Sequence, residues 1–424
     1  MTYKAPSASR VTHSLGNVVS SARSTLAHTQ RWHPWQAIGM APESVLLMVT
    51  LLLAGLGWVM VTSASTEIGL SLQHDSLYYC KRHGVFLLLG LIAFWISSRC
   101  QLETVERWAM PLLLGSVLLL LALRIPGVGY KANGSVRWLN LGFIRLQVSE
   151  LTKFALIVYW ASLLPKLVGC GRPRVWVLAW PAALLFVMAC GLMLIQPDLG
   201  ATFVVLTLTL GLLFVAGAPL LWFVSLGSLC AGGVALLVWT VPYRLKRVMA
   251  FWDPWEQPFE TGYQLVQSLI AIGRGGVLGN GLGSSVQKNF YLPEAHTDFI
   301  YAVLCEELGI LGGVAVLLAY LILLAAVYTI GRTAERLNNS FGAYLCYGTA
   351  LLIAIQAFVS IGVNIGLLPT KGLTLPFISY GGTSLVVLFC LMGMVYRVQR
   401  ENRMRLGWSR AYWQGARAKR SGRG

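Results

Sequence analysis

Apolar runs of membrane-crossing length recur along this chain, and no other property restricts its fold so strongly. Ten stand out, at 44–63, 84–98, 108–124, 148–165, 175–195, 199–217, 219–241, 299–330, 341–367 and 380–398. About 20 apolar residues in a helix cross about 30 Å of hydrocarbon. A backbone in lipid must satisfy its own hydrogen bonds, which a helix does within one segment. Only 12% of the residues are charged, against about 25% in a soluble chain. The expected fold is all-α: a polytopic integral membrane protein of about ten transmembrane helices. The 84–98 run is short and extends through Arg82, whose stem can lie along apolar surface. The 299–330 run is long, so its end projects beyond the bilayer or the helix breaks.

Lys and Arg placement orients the chain. With the N-terminus in the cytoplasm, twenty basic residues fall on the inner side and twelve on the outer, Lys153 lying within a span. Both termini are thus expected inside. Three parts follow: a Ser-, Thr- and Arg-rich tail at 1–43, a membrane domain at 44–398, and a basic tail at 399–424 suited to an anionic inner leaflet. No short apolar stretch with a cleavage site comes first, so no cleaved signal peptide is expected. The eight cysteines show no CxxC or Cys/His spacing and fall mostly in apolar runs; neither a disulfide nor zinc is expected. The outer cations, among them Arg82, Arg137, Arg274, Lys288 and Lys371, have two readings. They anchor the protein at headgroups, or they serve an anionic substrate at the outer face.

The outer segments are unequal. Residues 125–147 form a Gly-, Asn-, Arg- and Trp-containing loop. A large periplasmic loop at 242–298 separates helices 7 and 8, and a long loop in a compact protein is usually functional. Within it, 262–272 is an amphipathic run able to lie on the membrane, and the glycines from Gly273 to Gly283 permit tight, left-handed turns. No strand precedes them, so nucleotide fingerprints do not apply, and no nucleic-acid partner is expected. In Gly366–Ser384, two prolines and four glycines break the helix at the membrane surface. Irregular backbone at that depth lines a cavity or is buried in protein.

Ionisable groups concentrate on the outer face. Asp298 stands where the large loop enters a span. Its bland role is a helix cap; Glu294, His296 and Thr297 beside it favour chemistry. Glu306 lies about 12 Å deeper and is rotated by roughly 80° from Asp298, Glu307 by about 180°. Both are expected to be buried carboxylates in need of partners. Glu150 and Lys153 are helix neighbours at i and i+3, which suits a local ion pair. Gln196-Pro197-Asp198-Leu199-Gly200 is a tight turn in which Asp198 caps the next helix, and Arg137-Trp138 sets a cation beside an aromatic.

Five ordered motifs together carry a resemblance: Asn133–Trp138, Gln147–Lys153, Gln196–Gly200, Leu292–Gly309 and Gly366–Ser384. The chain resembles the SEDS family (shape, elongation, division and sporulation) of bacterial inner-membrane proteins over most of 44–398. Its N-terminal tail and Tyr291–Asp298 look more like the division branch than the elongation branch. Val148 and Thr383 depart from the usual proline and serine; neither change removes an ionisable group.

The resemblance implies a peptidoglycan glycosyltransferase in the bacterial inner membrane at the division septum. It would polymerise lipid II, a disaccharide-pentapeptide on undecaprenyl diphosphate, alongside a class B penicillin-binding protein transpeptidase and other division proteins. It makes Asp298 the catalytic residue. Arg137, Glu150, Lys153, Asp198, His296, Lys371 and Ser379 are the substrate-binding candidates, and Glu294, Glu306 and Glu307 supporting ones. Diphosphate is a good leaving group, so one base can suffice. The resemblance fixes no cofactor; a divalent cation such as Mg2+ would suit the diphosphate. A lipid II flippase and a non-catalytic division scaffold remain alternatives; in the flippase, Lys153, Glu306 and Glu307 would line a path.

Overall fold

The computed structural model describes residues 40–132, 135–140, 142, 145–169, 172–218, 221, 223–225, 227, 228, 232, 233, 251–260 and 262–421. Residues 1–39, most of the seventh run and the basic positions Arg244, Lys246 and Arg247 lie outside the described residues.

The long apolar runs are helical over most of their described length. The chain runs α1 (Pro42–Gln73), α2 (Tyr78–Ser97), the short α3 (Leu102–Arg107) and α4 (Ala109–Ala122). After a small sheet come α5 (Val148–Gly169), α6 (Arg172–Ile195) and α7 (Leu199–Val215). The second half holds α8 (Tyr263–Gly275), α9 (Ile300–Arg336), α10 (Ser340–Asn364) and α11 (Gly382–Ser421). Four of these (α1, α2, α9 and α10) and Gly382–Gly407 of α11 are long and apolar enough to cross a membrane. Shorter apolar helices cover Ala109–Ala122, Ala183–Ile195 and Leu199–Val215. Helix α10 packs against α5, α7 and α9, while α2 lies along α11 and α1 along α9.

The two ends of the membrane domain meet on one side. Gln399 Nε2 donates to Glu43 Oε2 at 3.1 Å, and Arg403 pairs with Glu43. On the same side, Lys166 of α5 pairs with Glu106 near the end of α3 at 3.1 Å.

Three features depart from the sequence reading. Helix α1 continues ten residues past 63, because its polar extension is held by protein: Ala64, Ser65 and Gly69 are buried. Hydropathy cannot see such a turn. Residues 125–147 contain a three-stranded antiparallel sheet, β1 (Gly129–Ala132), β2 (Ser135–Asn140) and β3 (Arg145–Gln147). Trp138 sits opposite Gln147 and Asn140 opposite Arg145, and the Arg145 guanidinium lies 3.9 Å from the Tyr130 ring centre. The last span and the basic tail form one helix as far as Ser421. Helix α9 takes the second course that its length allowed: it breaks within its first third, at Gly309 (φ 72, ψ −175).

That break is filled by the large loop. Ile310 N donates to Gly276 O at 2.9 Å and Leu311 N to Val277 O at 3.3 Å, while Asn280 N and Gly281 N donate to Glu306 O and Glu307 O, each at 3.0 Å. Strand-like pairing thus replaces the helical bonds lost at the break. Gly279 must be glycine: its φ is +82, and a Cβ there would collide with Glu307 O. The amphipathic run, α8, sets Leu265, Val266, Ser268 and Ala271 inward against α9 and α10.

Candidate active site

Residues 365–381, the irregular chain between α10 and α11, form the hub on which the sequence motifs converge. On one flank, α1 passes so closely that a Cβ on Gly57 would lie 2.5 Å from Phe377 O. On another, a Cβ on Gly200 at the start of α7 would meet the Leu373 side chain at 3.2 Å. Tyr380 N donates to His296 O at 3.0 Å. Tyr320 of α9 donates to Pro376 O, and Gln147 N donates to Thr383 Oγ1 at 3.0 Å. Ser379 is buried, and its hydroxyl accepts from Leu375 N at 2.8 Å; it closes the turn from inside. Irregular backbone at this depth is therefore packed against protein, as lipid exposure would not allow.

Asp298 borders this hub. Its Oδ2 lies 3.0 Å from where a Cβ on Gly372 would stand, so the carboxylate rests against the backbone beside Lys371. Both side chains belong to half-buried residues. The cap of α9 is not Asp298 but Phe299, which makes no side-chain cap bond. The start of the helix is closed from a distance. Asn364, at the end of α10, accepts from Ala302 N through Oδ1 at 3.0 Å. Its Nδ2 donates to Asp298 O at 3.0 Å and Ser360 O at 2.7 Å. An asparagine from another helix thus does the capping work.

The residues ahead of Asp298 are wound tightly. Glu294 has φ 55, and its carbonyl accepts from the Asp298 N–H at 3.1 Å. Thr297 Oγ1 donates to Glu294 Oε2 at 2.8 Å. His296 is buried, with its ring 4.7 Å from that of Tyr79 and 5.7 Å from that of Tyr380. Burial pushes its pKa below the ordinary 6.5, and the Glu294 carboxylate opposes the shift. His296 is thereby held neutral.

A second cluster faces the hub from α5 and α7. Asp198 caps α7, accepting from Ala201 N at 3.2 Å. It also accepts from Ser149 Oγ at 3.2 Å and lies 3.8 Å from the Arg137 guanidinium. Arg137 donates to Pro197 O at 2.6 Å, so the sheet is tied to the 196–198 turn. One turn deeper, Lys153 Nζ donates to Glu150 Oε1 at 2.6 Å. The Lys153 side chain is 0% exposed and that of Glu150 8%. Arg137 and Lys371 keep some exposure, but Lys153 is enclosed and does not open onto an outer cavity.

Glu306 and Glu307 are buried, as expected, and both have partners. Glu306 accepts from Ser285 Oγ at 2.5 Å and Val286 N at 3.1 Å, with Arg274 at 3.6 Å. Glu307 Oε1 accepts from Ser63 Oγ at 2.6 Å and Lys288 Nζ at 2.9 Å. Sequence reasoning missed the roles of Ser63, Ser285 and Asn364. Only Asn364 carried a signal, a polar amide at the end of an apolar run. Arg274 and Lys288 stood among the outer cations without assigned partners.

Chemically, the face offers one half-buried carboxylate against the backbone beside a lysine, a neutral histidine nearby, and an arginine on the central strand of the sheet. Among the described residues, no group of three or more His, Cys, Asp or Glu side chains could hold a metal ion. A divalent cation here would draw most of its ligands from substrate phosphates and water, as Mg2+ commonly does.

These features define a class: a multi-pass membrane protein in which loops dock on a broken helix. The chain belongs to the FtsW/RodA/SpoVE family of cell cycle proteins, whose family model matches residues 43–404. It is 46% identical over 367 residues to the "Probable peptidoglycan glycosyltransferase FtsW" of Methylococcus capsulatus, covering 87% of this chain and 92% of that one. To the protein of that name from Escherichia coli O6:H1 it is 43% identical over 362 residues, covering 85% and 87%. Among solved structures it resembles one described as "Structural coordination of polymerization and crosslinking by a peptidoglycan synthase complex". The TM-score is 0.66 and the identity 32%, over 84% of this chain and 97% of that one. It also resembles the rod shape determining protein RodA of Thermus thermophilus, with a TM-score of 0.62 and 30% identity, over 84% and 96%.

Proposed function

We propose that this protein is a peptidoglycan glycosyltransferase of cell division that polymerises lipid II at the outer face of the inner membrane, with Asp298 as its general base. The carrying observation is the division of labour at the start of α9. Asn364 does the capping, and the Asp298 carboxylate is set against the Gly372 backbone beside Lys371. A carboxylate there takes the proton from an acceptor sugar hydroxyl as that oxygen attacks the anomeric carbon of the donor. The diphosphate departs with the bonding pair, and direct displacement inverts the centre. Lys371 and Arg137 face the charge that develops on the diphosphate; a Mg2+ ion bound to it would add the same stabilisation. Neutral His296 orients the segment without competing for the proton.

The relatives' names support the activity, and the synthase complex among the structural neighbours supports a transpeptidase partner of the class B penicillin-binding kind. The septum is the expected location, with both tails cytoplasmic. A flippase fits less well, because the buried charges a lipid path would use are tied to partners: Lys153 to Glu150, Glu307 to Lys288.

Purified protein with labelled lipid II tests the reading. Asp298→Asn should fold and keep wild-type thermal stability, yet lose glycan synthesis by about 10²-fold or more. A stable variant that synthesises glycan at nearly the wild-type rate ends the proposal for Asp298. Translocation without polymerisation by the wild type ends the proposal for the enzyme.

A further inference from the structure

We infer that Lys288 is a positioning residue for the reaction at Asp298, acting through a clamp with Glu307 and Ser63 that fixes the outer loop to α9 and α1. The inference rests on the glycosyl-transfer reading above and deepens it.

Three chain segments far apart in sequence meet at this point. Lys288 Nζ donates to Glu307 Oε1 at 2.9 Å, to Ser63 Oγ at 2.9 Å and to Gly283 O at 2.7 Å. An ammonium has three donors, and all three are used. Ser63 Oγ donates in turn to Glu307 Oε1 at 2.6 Å, which closes a ring of three groups. The Lys288 side chain is 9% exposed and that of Glu307 0%. Interactions at such a site are screened far less than a surface pair would be.

The clamp sits at the head of the segment that carries Asp298. Leu292 N donates to Gln287 O at 2.8 Å, and Leu292 and Ala295 are buried. The chain from the clamp to Asp298 is thus a short strap pinned at Leu292, Ala295 and His296, with Asn289, Phe290, Tyr291, Pro293 and Glu294 exposed between the pins. Its far end is tied by Tyr380 N to His296 O and by Asn364 Nδ2 to Asp298 O. Upstream of Lys288, the loop is already stitched into the break at Gly309. Glu306 holds Ser285 and Val286 in the same way. Lys288 is the one charged side chain of the 285–288 segment, and its ammonium is the group that also reaches α1. Without it, the strap keeps its downstream tie but loses its anchor to α1, and the carboxylate of Asp298 shifts relative to Gly372 and Lys371. A displacement of about 1 Å in a reacting group can cost about 10²-fold in rate.

The test uses the full chain in detergent with labelled lipid II, comparing wild type, Lys288→Met, Lys288→Arg, Glu307→Gln and Lys288→Met/Glu307→Gln. Lys288→Met should lower kcat by about 10- to 100-fold per folded molecule, with KM within about twofold. Lys288→Arg should recover most of that loss. The double variant leaves no unpaired buried charge, so it should fold like the wild type and still be slow. Hydrogen exchange at the 289–298 amides should quicken in Lys288→Met and in the double variant. Wild-type kcat in the stable double variant overturns the inference. So does a loss that appears only in KM, or unchanged exchange at 289–298. The exchange result stands whether or not the wild type makes glycan, so failure of the clamp and failure of the glycosyl-transfer reading are separately visible.

Discussion

The Glu150–Lys153 pair gives the sharpest quantitative test of how this face of the protein is held together. Both side chains are enclosed, and the ammonium lies 2.6 Å from its carboxylate partner. Coulomb's law at an effective dielectric of about 20 gives about 6 kcal/mol of attraction at that separation, before desolvation offsets part of it. Replacing Glu150 removes the attraction but leaves the Lys153 charge buried. A loss of about 3–5 kcal/mol is expected for breaking a buried pair in this way. Glu150→Gln should sit at the lower end, because the amide oxygen can still accept from Lys153. Glu150→Ala should sit at the upper end. The double variant Glu150→Gln/Lys153→Met removes both charges and should return close to wild-type stability, since apolar replacement of a buried pair is often neutral. Thermal unfolding of the four proteins in one detergent, beside glycan synthesis, reads both quantities. Single variants as stable as the wild type would refute the reasoning. A double variant no better than Glu150→Gln would refute it too. Stable single variants that had lost synthesis would instead return the pair to the substrate contacts.

Two further expectations concern the large loop. Because burial holds the His296 pKa below 6.5, the unfolded chain binds the proton more readily than the folded one. His296 therefore contributes stability above pH 6.5 that drains away as pH falls from there towards the folded pKa; between about pH 7.5 and about pH 5.5, the midpoint of His296→Gln should fall less steeply than that of the wild type, and parallel curves would count against the assignment. For topology, Leu278 is 79% exposed, so Leu278→Cys should label from outside intact cells and Ser421→Cys should not; the reverse pattern would invert the orientation.

Much of the architecture was legible because membrane crossing writes itself into composition. Nine of the ten apolar runs coincide with described helices, and most of the tenth, 219–241, lies outside the described residues. Local electrostatics was legible too: Asp198 does cap α7, and Glu150 does pair with Lys153 one turn on. The spacing of each pair is short enough to be fixed by the helix itself. What was hidden is non-local. Nothing near Asp298 announces that its capping duty falls to Asn364, 66 residues away. Ser63 looked like the end of a span, yet it meets Glu307 across 244 residues. The small sheet escaped for a different reason. Its strands are three to six residues long and alternate too briefly for a period to emerge.

The break at Gly309 has a consequence for how freely the sequence of α9 can vary. Before it, Ile300 to Glu307 are buried on every side, as in a plug. After it, burial recurs at Gly313, Val316, Tyr320, Leu323, Ala326, Val327 and Ile330, a seam of the coiled-coil kind. The opposite stripe, Ile310, Val314, Leu317, Leu321 and Tyr328, is exposed. A continuous helix would lock the phase of the plug to the phase of the seam. Any insertion below would then rotate the two carboxylates above. Interrupted at one glycine, the two parts keep separate phases. Apolar residues can exchange along the lipid-facing stripe, and the rod can gain or lose a residue at its inner end, without turning Glu306 and Glu307 away from the loop they hold.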